Sequence, residues 1–159
     1  MAQESFSASV NKWVAKSERR IETVFKEAAQ DVISEMQEVG PSVANPDSHG
    51  TGHMPVDTGF LRASLQASLN SPAPAMTFRP PDAKSVKYDP SPVALVIAGA
   101  QLGQTIYATY AAAYAPRMEA RYGFVRLAAQ NWQSIVDRRA RIVKRRVDAA
   151  ISAARAARQ

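Results

Sequence analysis

Between Ser7 and Val39 the apolar residues fall at Val10, Trp13, Val14, Ile21, Val24, Phe25, Ala28, Val32, Ile33, Met36 and Val39. Steps of three and four put them on one stripe of a helix, while Lys16, Arg19, Arg20, Glu22, Lys26 and Glu27 cover much of the rest. The pattern predicts a long helix filling residues 1–40, stopped by Gly40 in a left-handed cap and by Pro41, which cannot continue it. Residues 41–60 are rich in Pro, Gly, Asn, Asp and Ser and close in the turn Pro55-Val56-Asp57-Thr58-Gly59. Asp57 and Thr58 can bond forward to backbone N–H groups, and Gly59 tolerates positive φ. Next, Leu61, Ala63, Leu65, Ala67 and Leu69 alternate with Arg62, Ser64, Gln66, Ser68 and Asn70, a period of two that predicts a strand with one buried face.

Residues 71–92 hold Pro72, Pro74, Pro80, Pro81, Pro90 and Pro92, and so read as an extended loop or arm. Val93 to Ala100 is apolar and rich in β-branched residues, which suggests a second, more buried strand; Gly99 and Gly103 then punctuate a turn. Ile106 to Tyr114 fits either a third strand or an Ala-rich helical turn. From Phe124 a helical stripe returns at Val125, Ala128, Trp132, Ile135, Val136, Ile142, Val143, Val147, Ala150, Ile151 and Ala154, with no further Pro or Gly. The expected architecture is α+β in a single domain, 1–159: a long N-terminal helix, a small antiparallel sheet within 61–116 and a basic C-terminal helix within 117–159. No internal repeat is visible.

At 159 residues the chain suits one domain with a modest core. The absence of cysteine excludes disulfides and thiolate zinc sites and is compatible with a reducing compartment. The opening Met-Ala-Gln-Glu-Ser is polar and lacks a signal-peptide core, and the longest apolar run, Pro92 to Ala100, is far too short to span a bilayer. The expectation is a protein cytoplasmic when made, with no membrane partner. Charge is unevenly distributed. Residues 1–40 carry 5 basic and 7 acidic side chains, residues 41–116 carry 4 of each, and residues 117–159 carry 11 basic and 3 acidic. Such asymmetry suggests a polyanion or an acidic protein face as a partner.

Candidate chemistry is sparse. His49 and His53 flank Gly50-Thr51-Gly52, and with Asp47 or Asp57 they could ligate a metal, but a Gly-rich loop does not orient them as a helical i, i+4 pair would. Glu35 and Glu38 lie one helical turn apart near a helix end that disfavours acids, so a solvated face accounts for them better than a catalytic pair. No nucleophile elbow, phosphate loop or dinucleotide fingerprint occurs. Arg138, Arg141 and Arg145 share one side face of the last helix, and Arg139 and Arg146 share another. With no aromatics between them and no helix-turn-helix before them, a protein interface or a solvated face is favoured over direct DNA contact. Tyr107, Tyr110, Tyr114 and Tyr122 cluster within 16 residues, as either an interface or core packing.

Three stretches carry a resemblance. Pro55-Val56-Asp57-Thr58-Gly59-Phe60-Leu61-Arg62-Ala63-Ser64-Leu65 resembles the Pro-Val-Asp-Thr-Gly-x-Leu-Arg-x-Ser signature of a phage neck or tail-completion family, which includes lambda minor tail protein Z and gene-product-ten-like head–tail junction proteins. Tyr114-Ala115 with Glu119 is similar to that family's Tyr-Ala-x-x-x-Glu segment, and Gly123-Phe124-Val125-Arg126-Leu127-Ala128 to its closing Pro-Phe-Leu-Arg-Pro-Ala motif. Here Ala120-Arg121-Tyr122 intervenes before Gly123, the prolines around Phe124 are absent, and residues 71–92 look like an insertion. The resemblance implies a virion protein, assembled in the host cytoplasm, that forms a ring with copies of itself. It would join tail to head against neighbouring neck, portal-adaptor or tail-terminator proteins, with no cofactor and no catalysis. In that picture Asp57, Thr58 and Gly59 set the turn, Leu61 and Leu65 anchor the strand face, and Tyr114 and Glu119 sit at a subunit or partner contact. Phe124 and Trp132 dock the last helix, and Arg138, Arg141 and Arg145 face a partner or passing DNA. The rival expectations are a nonspecific DNA-binding protein using the Arg-rich helix and a small metal-dependent hydrolase using His49 and His53.

Overall fold

The computed structural model describes residues 5–40, 52–73, 78 and 85–157. Its elements in chain order are α1 (Phe6–Met36), α2 (Phe60–Ala63), β1 (Leu65–Ser68), α3 (Ser91–Gly99), β2 (Tyr107–Tyr110), α4 (Ala115–Tyr122), α5 (Phe124–Gln130) and α6 (Trp132–Ala156). The fold is α+β: two long helices, α1 and α6, frame a small antiparallel sheet and shorter helices. Among the described residues no helix is long and apolar enough to cross a membrane.

Ser5 starts α1, its hydroxyl accepting the Ala8 N–H. The helix does not run to a glycine cap. It stops at Met36, Gln37 is buried beyond it, and Glu38 to Gly40 turn extended to pair with the chain around Met54. The Met54 N–H donates to the Glu38 carbonyl at 2.7 Å, and the Gly40 N–H to the Met54 carbonyl at 3.1 Å. Gly40 keeps negative φ, and a Cβ there would lie 2.7 Å from His53 Cβ. Its role is close approach between two segments rather than helix termination. Pro41, the other half of the expected stop, lies outside the described residues.

Alternation after Gly59 is only partly a strand. Phe60–Ala63 forms a helical turn, closed by the Ala63 N–H on the Gly59 carbonyl and by the Ser64 hydroxyl on the Leu61 carbonyl. Leu61 and Leu65 are four residues apart as well as alternate, so one pattern served both geometries. They enter different clusters, Leu61 with Met54 and Phe124, Leu65 with Ile33 and Val93. β1 pairs with β2 with Leu65 opposite Tyr110 and Ala67 opposite Ala108. The open choice at Ile106 to Tyr114 thus resolves as a strand over 107–110.

Val93 to Ala100 is not a strand but most of α3. Asp89 accepts the Ser91 N–H at 2.9 Å, which also holds its carboxyl below the ordinary value, and Pro92 occupies the first turn. Val93 and Ile97, four apart, are buried, whereas Leu95 is 74% exposed. α3 begins inside the stretch expected to be wholly loop. The C-terminal helix likewise starts earlier, at Ala115, and is interrupted at Gly123 (φ 69°) and Asn131.

Two clusters form the core. Ala29, Ile33, Met36, Leu65, Val93, Ile97 and Ala128 make one, and Met54, Leu61, Ala112, Ala115, Tyr122 and Phe124 the other; Tyr110 and Val125 pack against both. Tyr110 donates to the Met36 carbonyl at 3.1 Å, and burial pushes its phenol far above the ordinary value.

Candidate functional site

The turn at Gly59 is built from backbone. Gly59 adopts φ 80°, in the left-handed region, and a Cβ at this position would stand 2.3 Å from the Val86 carbonyl oxygen. The Val86 N–H in turn donates to the Thr58 carbonyl at 2.8 Å. Asp57 is exposed at the outer edge. Leu61, behind the turn, is 4% exposed, and Phe60 stacks on Tyr114 with centroids 6.4 Å apart. Thr58, Phe60, Tyr114, Arg117 and Met118 line an apolar cleft of about 390 Å³. Leu65 is buried on the sheet's inner face, as the strand pattern required.

Glu119 has a structural use within the chain. Its two carboxylate oxygens accept the backbone N–H groups of Val125 (2.8 Å) and Arg126 (2.9 Å) at the start of α5. The Gly123 N–H donates to the Glu119 carbonyl at 2.8 Å, and positive φ at Gly123 swings the chain back so that the carboxylate can reach. This corner delivers Phe124 into the core, fully buried and edge-on to Tyr110 at 5.4 Å. The three stretches that carry the family resemblance therefore meet: Leu61, Ala115 and Phe124 share one buried cluster, and Glu119 fixes the corner between the last two.

No family model matches the chain, nor does any curated protein or solved structure.

The tyrosines divide between the two readings. Tyr110 and Tyr122 belong to the core, and Tyr114 lines the cleft, while Tyr107 is half-buried on β2. Trp132 docks only in part: it meets Phe25 edge-on at 6.5 Å and remains 39% exposed.

The arginine face divides as well. α1 and α6 run antiparallel, with Glu35 receiving Asn131, Asp31 receiving Arg138 and Arg139, and Glu27 receiving Arg139 and Arg146. Hydrogen bonding from Arg139 holds the Asp31 carboxyl below its ordinary value, against the effect of burial. Arg138, Arg139 and Arg146 are thus engaged in holding the two helices together, whereas Arg141 and Arg145 are exposed and make no ion pair with a described residue. Glu27 and Asp31 were missed as partners because acids on a long helix read as solvated; their spacing of four, matching arginines seven apart, was the available signal.

His53 lies 3.6 Å from a Glu38 oxygen beside Glu35, and His49 falls outside the described residues. Among the described residues no three metal-ligating side chains gather.

Proposed function

We propose that this chain is a structural virion protein of the head–tail junction, a neck or tail-completion subunit that assembles into a ring and joins tail to head by burying surface rather than by catalysis. The observation that carries the reading is convergence. Three motifs scattered over some seventy residues of sequence, Pro55 to Leu65, Tyr114 to Glu119 and Gly123 to Ala128, form one unit around Leu61, Ala115 and Phe124. That is the behaviour expected of a family signature that specifies a shape. Beside it lies the apolar cleft of Phe60, Tyr114 and Met118, a surface suited to a neighbouring copy or to a neck, portal-adaptor or tail-terminator protein. In a ring, many modest contacts act together through high effective concentration.

A second reading, nonspecific DNA binding, is favoured by the exposed Arg141 and Arg145 on the outer side of α6. The two separate cleanly. In lysates of a particle lacking this gene, electron microscopy should find filled heads and near-complete tails that fail to join. Empty unexpanded heads, or missing tails, would refute the junction assignment. Duplex affinity of the purified protein that falls steeply with salt would instead favour the DNA reading.

A further inference from the structure

The hairpin of α1 and α6 changes character along its length. Beside the body, Glu27 and Asp31 of α1 take Arg138, Arg139 and Arg146 of α6. The same flank of α1, followed back by steps of three and four through Thr23, reaches Arg20 and then Lys16. Its sign reverses from acidic to basic. Arg19 adds to the basic stretch, and Glu18 lies on the opposite flank. α6 brings one acid to this end, Asp148, in the groove that Arg20 and Lys144 also line. Residues 6–20 carry four basic and one acidic side chains, and with Arg146 already paired to Glu27 residues 141–157 leave four and one, a net of +6.

The apolar stripe continues through the same stretch. Ile21 and Val24 line a groove with Ala140, Val143 and Val147 of α6. Phe6, Val10, Trp13 and Val14 prolong that stripe by further helical steps, yet they are 84%, 39%, 67% and 40% exposed. A bare Phe–Trp stripe of this kind marks an interaction surface. A second copy of the tip would bring the same net positive charge and be repelled. Duplex DNA would answer the charge but leave most of the Phe6–Val14 stripe uncovered. A membrane-surface helix is rich in cations across its polar face, and here Glu18 and Glu22 interrupt it.

We infer that the distal half of the hairpin docks an acidic amphipathic helix of another protein, lying beside α6 along the exposed Phe6–Val14 stripe of α1, with its carboxylates toward Lys16, Arg19 and Arg20. The packing of a helix on this stripe is already set by α6 at Ile21 and Val24. Only the charge pairing is inverted. The inference stands on the hairpin alone and holds or fails independently of the virion assignment.

The test uses the full chain carrying Trp132→Phe, which leaves Trp13 as its one tryptophan. The probe is a designed helical peptide of about three heptads, leucine at the seam positions and glutamate beside them; a second peptide carries lysine in place of glutamate. The glutamate peptide should bind saturably and shift Trp13 emission to the blue. In the triple variant Lys16→Glu, Arg19→Glu, Arg20→Glu its affinity should fall about ten-fold or more, and the lysine peptide should become the better ligand. Trp13→Ala, followed by anisotropy of labelled peptide, should abolish binding with the helical circular dichroism unchanged. No binding, equal affinity for both peptides, or a larger Trp13 shift with duplex DNA or anionic phosphatidylserine vesicles than with the glutamate peptide would overturn the inference.

Discussion

Replacing Gly59 by alanine is a sharp test of how the turn is held. The left-handed φ of 80° costs an L-residue about 1–2 kcal/mol on its own. The added Cβ would also sit 2.3 Å from the Val86 carbonyl oxygen, a backbone atom that cannot swing aside as a side chain could. The 85–90 segment must therefore retreat, and the hydrogen bond from the Val86 N–H to the Thr58 carbonyl is lost, about 0.5–1.5 kcal/mol net. Together these give about 2–4 kcal/mol, or a fall in Tm of roughly 5–15 °C for a chain of this size. Gly103 provides the internal control. Its φ is 90°, but nothing lies within 4 Å of a Cβ built there, so Gly103→Ala should cost only the backbone portion, about 1–2 kcal/mol. Urea unfolding of both variants beside the parent measures the difference. If Gly59→Ala is no more costly than Gly103→Ala, Val86 does not clamp the turn and the account of the site's rim is wrong.

Glu119→Ala should destabilise by about 1–3 kcal/mol, since it removes both acceptors from the start of α5; an unchanged urea midpoint would show that the corner does not need the carboxylate. Asp31 has a lowered pKa, so its contribution is complete above the unfolded value near 3.8 and disappears as pH falls through the folded one. The stability gap between the parent and Asp31→Asn should accordingly be widest at neutral pH and narrow on acidification, and a gap independent of pH would contradict the Arg139 pairing. Arg141→Glu with Arg145→Glu should leave stability within about 0.5 kcal/mol while weakening head–tail joining in a complementation assay, whereas Arg138→Glu, which faces Asp31, should lower Tm. Unimpaired joining by the double variant would remove that face of α6 from the contact.

The long elements were legible because thirty residues of consistent period leave little room for another geometry. α1 and α6 follow their stripes, and Gly59 has the positive φ that its Asp-Thr-Gly context demanded. Short elements were not legible in the same way. Val93 to Ala100 is apolar at nearly every position, so no period distinguished helix from strand; Asp89 and Pro92 were the start signals, hidden within a proline-rich stretch that suggested only loop. The alternation from Leu61 to Leu69 was real but ambiguous, because positions two apart and four apart coincide on leucines. At the candidate site, the turn residues and the buried Phe124 could be read directly. The use of Glu119 could not, because it depends on the left-handed corner at Gly123 bringing a carboxylate six residues back onto backbone N–H groups. The ion pairs of Glu27 and Asp31 were equally hidden, since their partners lie more than a hundred residues away.

That separation has a bearing on what the hairpin depends on. α1 ends at Met36 and α6 begins at Trp132, so the hairpin closes a loop of about a hundred residues. The intervening sheet, α3 and the Glu119 corner fold that loop compactly and draw the two helices into register. The alignment of α6 beside the basic, aromatic-edged stretch of α1 thus depends on the folded body between them. A chain arrested part-way holds the same arginines without the geometry that aligns them. A partner that reads both helices of the tip would bind only chains in which the body is folded.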